Sequence, residues 1–361
     1  MIEFSFYATP LKHFISNHDN IDTLNKRILV FDWWEYLWEG NVPKFSKDVN
    51  IKLIVNKIKQ YDVCFFVVTE AITPYNDNTG WKEVLGTLAN ELNNLNVFYV
   101  MYSENDFLFP TPKETTFTLP WFIWNDIFVH KPENFIDDLE YRKKTYTFNM
   151  LLGSKKDNRT RLYETLENKN YIYKTYFGHD IYRNTSDSHL DDSDILDMMK
   201  KQDVSTKKLN TVMKVERGDK KSSISHIIPR QIYMNSHFDI VSESQPEILQ
   251  DSRFTTEKTG KPLSTGRFFI WYNSPNTEKY LRKFGFELSD YMIDYDKIIN
   301  NDDRLNSVLE LINYINHDEK TIKNIYHVTK EARMHNKNLY HNLSESTKER
   351  FTEWFLEGIE K

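Results

Sequence analysis

Residues 238–275, FDIVSESQPEILQDSRFTTEKTGKPLSTGRFFIWYNSP, run from one apolar strand to another with a helix start between them. Phe238 to Ser242 reads as a strand ending in Ser242-Glu243-Ser244. Thr255-Thr256-Glu257-Lys258 opens a helix from about Glu257, and Arg267 to Tyr272 is a second strand ending in Asn273-Ser274-Pro275. In open parallel sheets ligands bind beyond the carboxyl ends of the strands, so both strand ends and the helix start are expected to converge on one site. Pro262 is expected to kink or shorten the helix, because it lacks a donor and clashes with the preceding turn.

Each of these groups suits a sugar nucleotide. Glu257 can accept hydrogen bonds from both hydroxyls of a ribose, while Lys258 and the helix N-terminus supply positive charge to a diphosphate. Thr255 or Thr256 is a competent N-cap. The same residues also read as a plain capped helix start with solvated charges. The continuous strand, loop, helix and strand context favours the ligand site.

The rhythm extends upstream. Strands are expected at Arg27 to Asp32, Asp62 to Thr69 and Asn96 to Tyr102, with helices at Val49 to Gln60 and Gly80 to Leu95 between them, which is the pattern of β-α-β units around a mainly parallel sheet. Pro110, Pro112 and Pro120 punctuate the next stretch, and Trp121 to Trp124 with Phe128 and Val129 form a further extended apolar segment. The domain crossing is placed at Glu133 to Lys144, where the composition turns acidic and then basic. A strand at Thr145 to Leu152 and a helix at Asn158 to Asn168 begin the second half. Residues 184–223 read as a polar surface insertion. Helices near Asp303 to Ile315, Glu319 to Met334 and Ser346 to Gly358 close the chain. The expected fold class is α/β, with two Rossmann-like domains facing a cleft: 1–140, then 141–325 with the insertion, followed by C-terminal helices over 326–361.

Composition narrows the function classes. The chain has 361 residues, 39% of them hydrophobic and 15% aromatic, enough for two cores. Its apolar runs are far shorter than the ~20 residues that cross a bilayer, and Met1-Ile2-Glu3 opens no signal segment, so no membrane partner and a cytoplasmic location are expected. The single cysteine, Cys64, sits in an apolar run and admits no internal disulfide. A net charge of −6 gives no global field for nucleic acid. The 10 glycines include neither G-x-G-x-x-G nor a Walker-type loop, so a phosphate site must use side chains and helix ends. Asp294-Tyr295-Asp296 has the spacing of an Asp-x-Asp metal site but reads as a loop or cap, and no metal or other cofactor is expected.

The order of Ser-Glu, x-Thr-Glu-Lys, an apolar strand and x-Ser-Pro resembles the donor-binding core of α-1,3-fucosyltransferases and related viral or phage glycosyltransferases. In that family a strand of the type I-P-I-Y-W-G-S-P follows Thr-Glu-Lys, and residues 268–275 stand in its place. The family also opens this domain with an arginine that begins a helix of pattern R-x-x-[FL]-Y-x-x-L, which residues 159–166, RTRLYETL, match. The resemblance spans roughly residues 145–285 and implies that Arg159 and Lys258 hold the diphosphate and Glu257 the ribose of a nucleoside-diphosphate sugar. Ser242, Glu243, Ser244, Asn273 and Ser274 would complete the donor site. The chain departs from the family at Asn273, where glycine is usual, and at Ser244, where asparagine is.

Inverting transfer without metal further needs a base that deprotonates the acceptor. Asp32 and Glu70, at the carboxyl ends of first-domain strands, are the candidates, and each also reads as a helix cap. The acceptor stays open between a glycan and a modified DNA base, the latter as in a phage-type base glycosyltransferase for which Lys12, His13, Lys44 and Lys47 would form a basic groove. A host-cytoplasm setting would follow for a viral enzyme. A sugar-nucleotide or glycan-binding protein without catalysis is the third reading.

Overall fold

The structure is a computed structural model and describes residues 1–4, 25–32, 47–68, 81–101, 112–120, 122–123, 138–152, 157–166, 169–176, 190–191, 221–222, 230–243, 255–289, 295–315 and 318–361. The chain is mixed α/β with parallel sheets and separates into two compact units. One gathers Met1–Phe128, Asp251–Phe254 and Ser344–Lys361; the other gathers Val129–Gln250 and Thr255–Leu343.

The first unit holds a five-stranded parallel sheet: β1 (Ile2–Phe4), β2 (Ile28–Asp32), β3 (Val63–Val68), β4 (Val97–Met101) and β5 (Thr116–Thr118), adjacent in chain order. When every crossover steps the same way and is right-handed, all the connecting helices fall on one face. Helices α1 (Lys47–Ile58) and α2 (Trp81–Leu92) accordingly share one face. There Ile51, Ile54, Val55 and Ile58 of α1 and Leu88, Ala89 and Leu92 of α2 pack on Leu29, Phe31, Cys64, Phe66, Val97, Tyr99 and Met101. These sheet residues follow the period of two that a strand imposes.

The opposite face would be bare without another element. It is covered by residues 344–361 of the last helix, where Phe355 stacks on Phe65 at 4.1 Å between ring centroids, and Phe351 and Trp354 meet Phe117. The approach is close because Gly358 has no side chain: a Cβ there would stand 3.1 Å from Phe65 Cζ and 3.2 Å from Phe98 Cε1. Lys26 Nζ donates to the terminal carbonyls of Ile359 and Glu360 at 2.6 and 3.0 Å, satisfying groups the helix end leaves open.

The second unit holds a four-stranded parallel sheet of β6 (Tyr146–Leu152), β7 (Ile172–Tyr176), β10 (Ser236–Ser242) and β11 (Phe269–Tyr272), in the order β11-β10-β6-β7. A two-stranded pair, β8 (Leu190–Asp191) with β9 (Lys221–Ser222), lies within the polar stretch. Helices α3 (Asp157–Thr165), α4 (Arg230–Asn235), α5 (Glu257–Thr265), α6 (Thr277–Lys283), α7 (Asn301–Ile315) and α8 (Glu319–Val328) complete this unit, with the first part of α9 (Lys330–Glu360). From β6 the chain steps outward to β7, then returns to the other side of β6 to lay down β10 and β11. Strand order therefore reverses between β6 and β10, which makes a topological switch point.

Helix α5 is short for two reasons. Pro262 has no N–H to bond the Lys258 carbonyl, and Gly266 ends the helix in the left-handed region at φ 66°, its N–H donating to Leu263 O. The turn delivers Arg267 into the interior. Arg267, with no exposed side-chain surface, donates to Asp239 Oδ2 at 2.6 Å, Asp138 Oδ2 at 2.5 Å and the carbonyls of Tyr233 and Ser236. Lys144 Nζ bonds both oxygens of Asp138, and burial pushes its ammonium down to about 8. Arg333 of α9 donates to the carbonyls of Asp138 and Gly266 at 3.0 and 2.8 Å. This buried ion cluster ties residue 138, β10, the α5–β11 turn and α9 together.

Among the described residues, several features differ from the sequence expectations. The chain from Lys330 to Glu360 is one helix, where separate helices ending at Met334 and beginning at Ser346 are expected, because it carries no proline and no glycine before Gly358. The strands β1, β5, β7, β8 and β9 and the helix α4 have no counterpart in the sequence analysis. β1 and β5 are three residues each and carry little periodic signal. Finally, the first sheet runs in simple chain order and so lacks the reversal found in doubly wound folds.

Candidate functional site

The switch point is built from the ends of β6 and β10 and the starts of α3 and α5. β10 pairs with β11 so that Ser242 lies level with Tyr272, and Glu243 N–H donates to Tyr272 O at 3.2 Å. Arg159, 2% exposed and in the first turn of α3, reaches from the β6 side and donates to the Ser242 carbonyl at 3.4 Å. Arg159 thus stands at the reversal of strand order.

Glu243 fixes the start of α5. Its carboxylate is fully buried, with Oε1 accepting from Thr256 N–H at 2.9 Å and from the Thr259 hydroxyl at 2.7 Å, and Oε2 accepting from the Thr256 hydroxyl at 2.6 Å. A carboxylate here satisfies N–H groups that a helix start leaves open and suits the positive end of the macrodipole. Thr256 is the N-cap, its Oγ1 accepting from Lys258 N–H at 3.3 Å.

The next residues carry the charge. Lys258 Nζ donates to Glu257 Oε1 and Thr256 Oγ1, each at 3.0 Å. Lys261, three residues on and on the same face, keeps some surface exposure, yet its ammonium lies deep enough that burial pushes it down to about 8. On residues that adjoin Arg159, Glu243 and Thr256 in the chain, three buried polar atoms have no hydrogen-bond partner among the described residues: Asn158 Nδ2, Ser242 Oγ and Thr255 Oγ1, on residues 7%, 2% and 2% exposed. A buried orphan of this kind costs about 1–3 kcal/mol, which a ligand's polar groups offset.

The end of β11 is held differently. Asn273 Oδ1 accepts from Ser274 N–H at 2.7 Å, and the Ser274 carbonyl accepts from the Thr277 hydroxyl. Asp296 accepts from the Trp271 indole at 3.1 Å and from Glu278 N–H at 3.0 Å, capping α6, and its burial pushes the carboxyl up to about 6. Within the Asp294-Tyr295-Asp296 stretch, Asp296 is therefore a cap, and Asp294 lies outside the described residues.

Arg159, Ser242, Glu243, Glu257 and Lys258 are thereby brought together about one switch point, and Asn273 and Ser274 lie at the end of the neighbouring strand. Ser244 and Glu70 lie outside the described residues. Asp32 ends β2 level with Val67. Lys12, His13 and Lys44 lie outside the described residues as well. Asn158, Thr255 and Lys261 join the site, and adjacency is the only sequence signal for them: Asn158 precedes Arg159, Thr255 precedes the cap, and Lys261 follows Lys258 by a helical turn.

No protein-family model matches the chain, and no curated protein matches it. Among the described residues, no helix is long and apolar enough to cross a membrane.

Proposed function

We propose that the chain is a nucleotide-sugar-dependent glycosyltransferase of the double-Rossmann (GT-B) type, binding a nucleoside-diphosphate sugar at the β6/β10 switch point and transferring the sugar to an acceptor hydroxyl. The observation that carries this reading is the joining of Arg159 and the Glu243-anchored start of α5 at one strand reversal, where the adjoining residues 158, 242 and 255 bury polar atoms without a partner among the described residues. Arg159 and Lys258 hold the diphosphate, and Glu257 accepts from the ribose hydroxyls. As the sugar–phosphate bond breaks, charge builds on the departing diphosphate, and the same cations stabilise it where it develops. Asp32 or Glu70 of the first unit removes the acceptor proton, giving inversion without metal. Cytoplasmic placement belongs to the same reading.

Thermal-shift screening against GDP, UDP, ADP and their sugar conjugates tests the proposal. A ligand held only by the folded chain at 100 times its Kd adds about 2.7 kcal/mol, a clear rise in melting temperature. Lys258→Ala abolishes the shift. Silence from every nucleotide at millimolar concentration refutes the site. Slow release of free sugar from the donor, lost on replacing Asp32 or Glu70, separates a transferase from a binder.

A further inference from the structure

The two charges assigned to different parts of a nucleotide are engaged with each other. Lys258 Nζ lies 3.0 Å from Glu257 Oε1, and the two side chains retain only 19% and 10% of their exposure. Neighbouring residues on a helix point about 100° apart, so this contact forms because Lys258 folds back onto the N-cap hydroxyl of Thr256. Thr256 is held in turn by the buried Glu243 carboxylate. The pair is thus held against the helix start instead of splayed into solvent.

Lys258 Nζ has three N–H groups and directs two of them to Glu257 and Thr256, so an anion that takes the third sits beside the Glu257 carboxylate. That carboxylate then shares its ammonium partner and acquires a negative neighbour in a shielded place, where like charges repel strongly and the nearby Lys261 offsets only part of the repulsion. A ribose offsets the rest, since its vicinal hydroxyls donate two hydrogen bonds to the carboxylate. Inorganic phosphate and pyrophosphate bring the charge without the diol.

We propose that Glu257 acts as a selectivity gate, so that the site admits a diphosphate only when it is joined to a vicinal diol and rejects free pyrophosphate. The proposal rests on the nucleotide reading of the site and adds to it which anions the ligand-free protein refuses. Ser242 and Thr255 hydroxyls and the Asn158 amide are donors that any phosphate can use, so the discrimination lies with Glu257.

Titration calorimetry on the full chain decides it, using GDP, UDP and ADP, their 2′,3′-dideoxy counterparts, and inorganic pyrophosphate at fixed ionic strength. The wild type binds its preferred ribonucleoside diphosphate about tenfold or more tighter than the dideoxy form, the margin of one charge-assisted hydrogen bond. Glu257→Gln keeps the shape but removes the charge: pyrophosphate binding tightens by about tenfold and the ribo-to-dideoxy ratio falls toward one. Unchanged pyrophosphate affinity in Glu257→Gln overturns the gate, as does a wild type that binds dideoxy and ribo forms equally. If circular dichroism shows the variant unfolded, the wild-type ratio decides alone. If the wild type binds neither nucleotides nor pyrophosphate, the nucleotide site itself falls and the gate with it.

Discussion

Replacing Glu243 with alanine is the sharpest test of how the site is held. The carboxylate has no exposed surface and accepts three hydrogen bonds of 2.6–2.9 Å, two from Thr256 and one from Thr259. Because the Thr256 hydroxyl donates its proton to Glu243, its lone pairs face Lys258, accepting from N–H and Nζ. Glu243 therefore orients Lys258 through Thr256. Hydrogen bonds to a charged group contribute about 1.5–3 kcal/mol each, and relief of the buried charge offsets part of their sum, so the net loss is about 3–5 kcal/mol. With an m-value of roughly 2–3 kcal/mol/M, the urea midpoint of the second unit falls by about 1.5 M. Glu243→Gln retains one acceptor oxygen for Thr256 N–H and Thr259 and loses about half as much. Hydrogen exchange at the α5 amides accelerates in the alanine variant, and the nucleotide-induced thermal shift disappears. If Glu243→Ala unfolds within about 1 kcal/mol of wild type and keeps its nucleotide shift, Glu243 does not anchor α5. If stability is kept but the shift is lost, Glu243 contacts the ligand directly instead of anchoring α5.

Two further outcomes concern the second unit. Arg267→Met leaves the buried carboxylates of Asp138 and Asp239 without their shared cation and costs about 3–5 kcal/mol in urea unfolding, with part recovered by adding Asp239→Asn; a neutral Arg267→Met refutes the cluster's role. Asp296, beside Glu278 and Arg304, has its carboxyl raised by burial to about 6, so its contribution is full below the unfolded value near ~4 and is lost as pH rises through about 6. The stability of wild type relative to Asp296→Asn should fall by roughly 2–3 kcal/mol between pH 3.5 and 7, and a flat difference refutes the assignment.

Much of this architecture is legible residue by residue. Runs such as Ile28–Asp32, Val63–Val68 and Val97–Met101 declare themselves as strands because their buried residues are continuous and apolar, and α1 and α2 show helical spacing between them. Thr256-Glu257 marks a helix start because capping is local chemistry. β7, Ile172-Tyr173-Lys174-Thr175-Tyr176, is rich in β-branched and aromatic residues but lacks a clean apolar alternation. The start of α3 at Arg159 was readable through its pattern, but that Arg159 reaches the Ser242 carbonyl, 83 residues away, was not.

The sequence by itself determined that the chain is α/β, where its principal helices and strands begin, and which charged residues crowd the start of α5. Only the tertiary structure decided that the first sheet runs in chain order and the second reverses between β6 and β10, because strand pairing is a non-local choice that local propensity does not encode. It alone decided that Glu243 is occupied in holding a helix and that Arg267 unites Asp138 with Asp239 across a buried interior. In sequence each of these is one more charged residue; burial turns it into a partner, since a charge removed from water must find its opposite or be displaced.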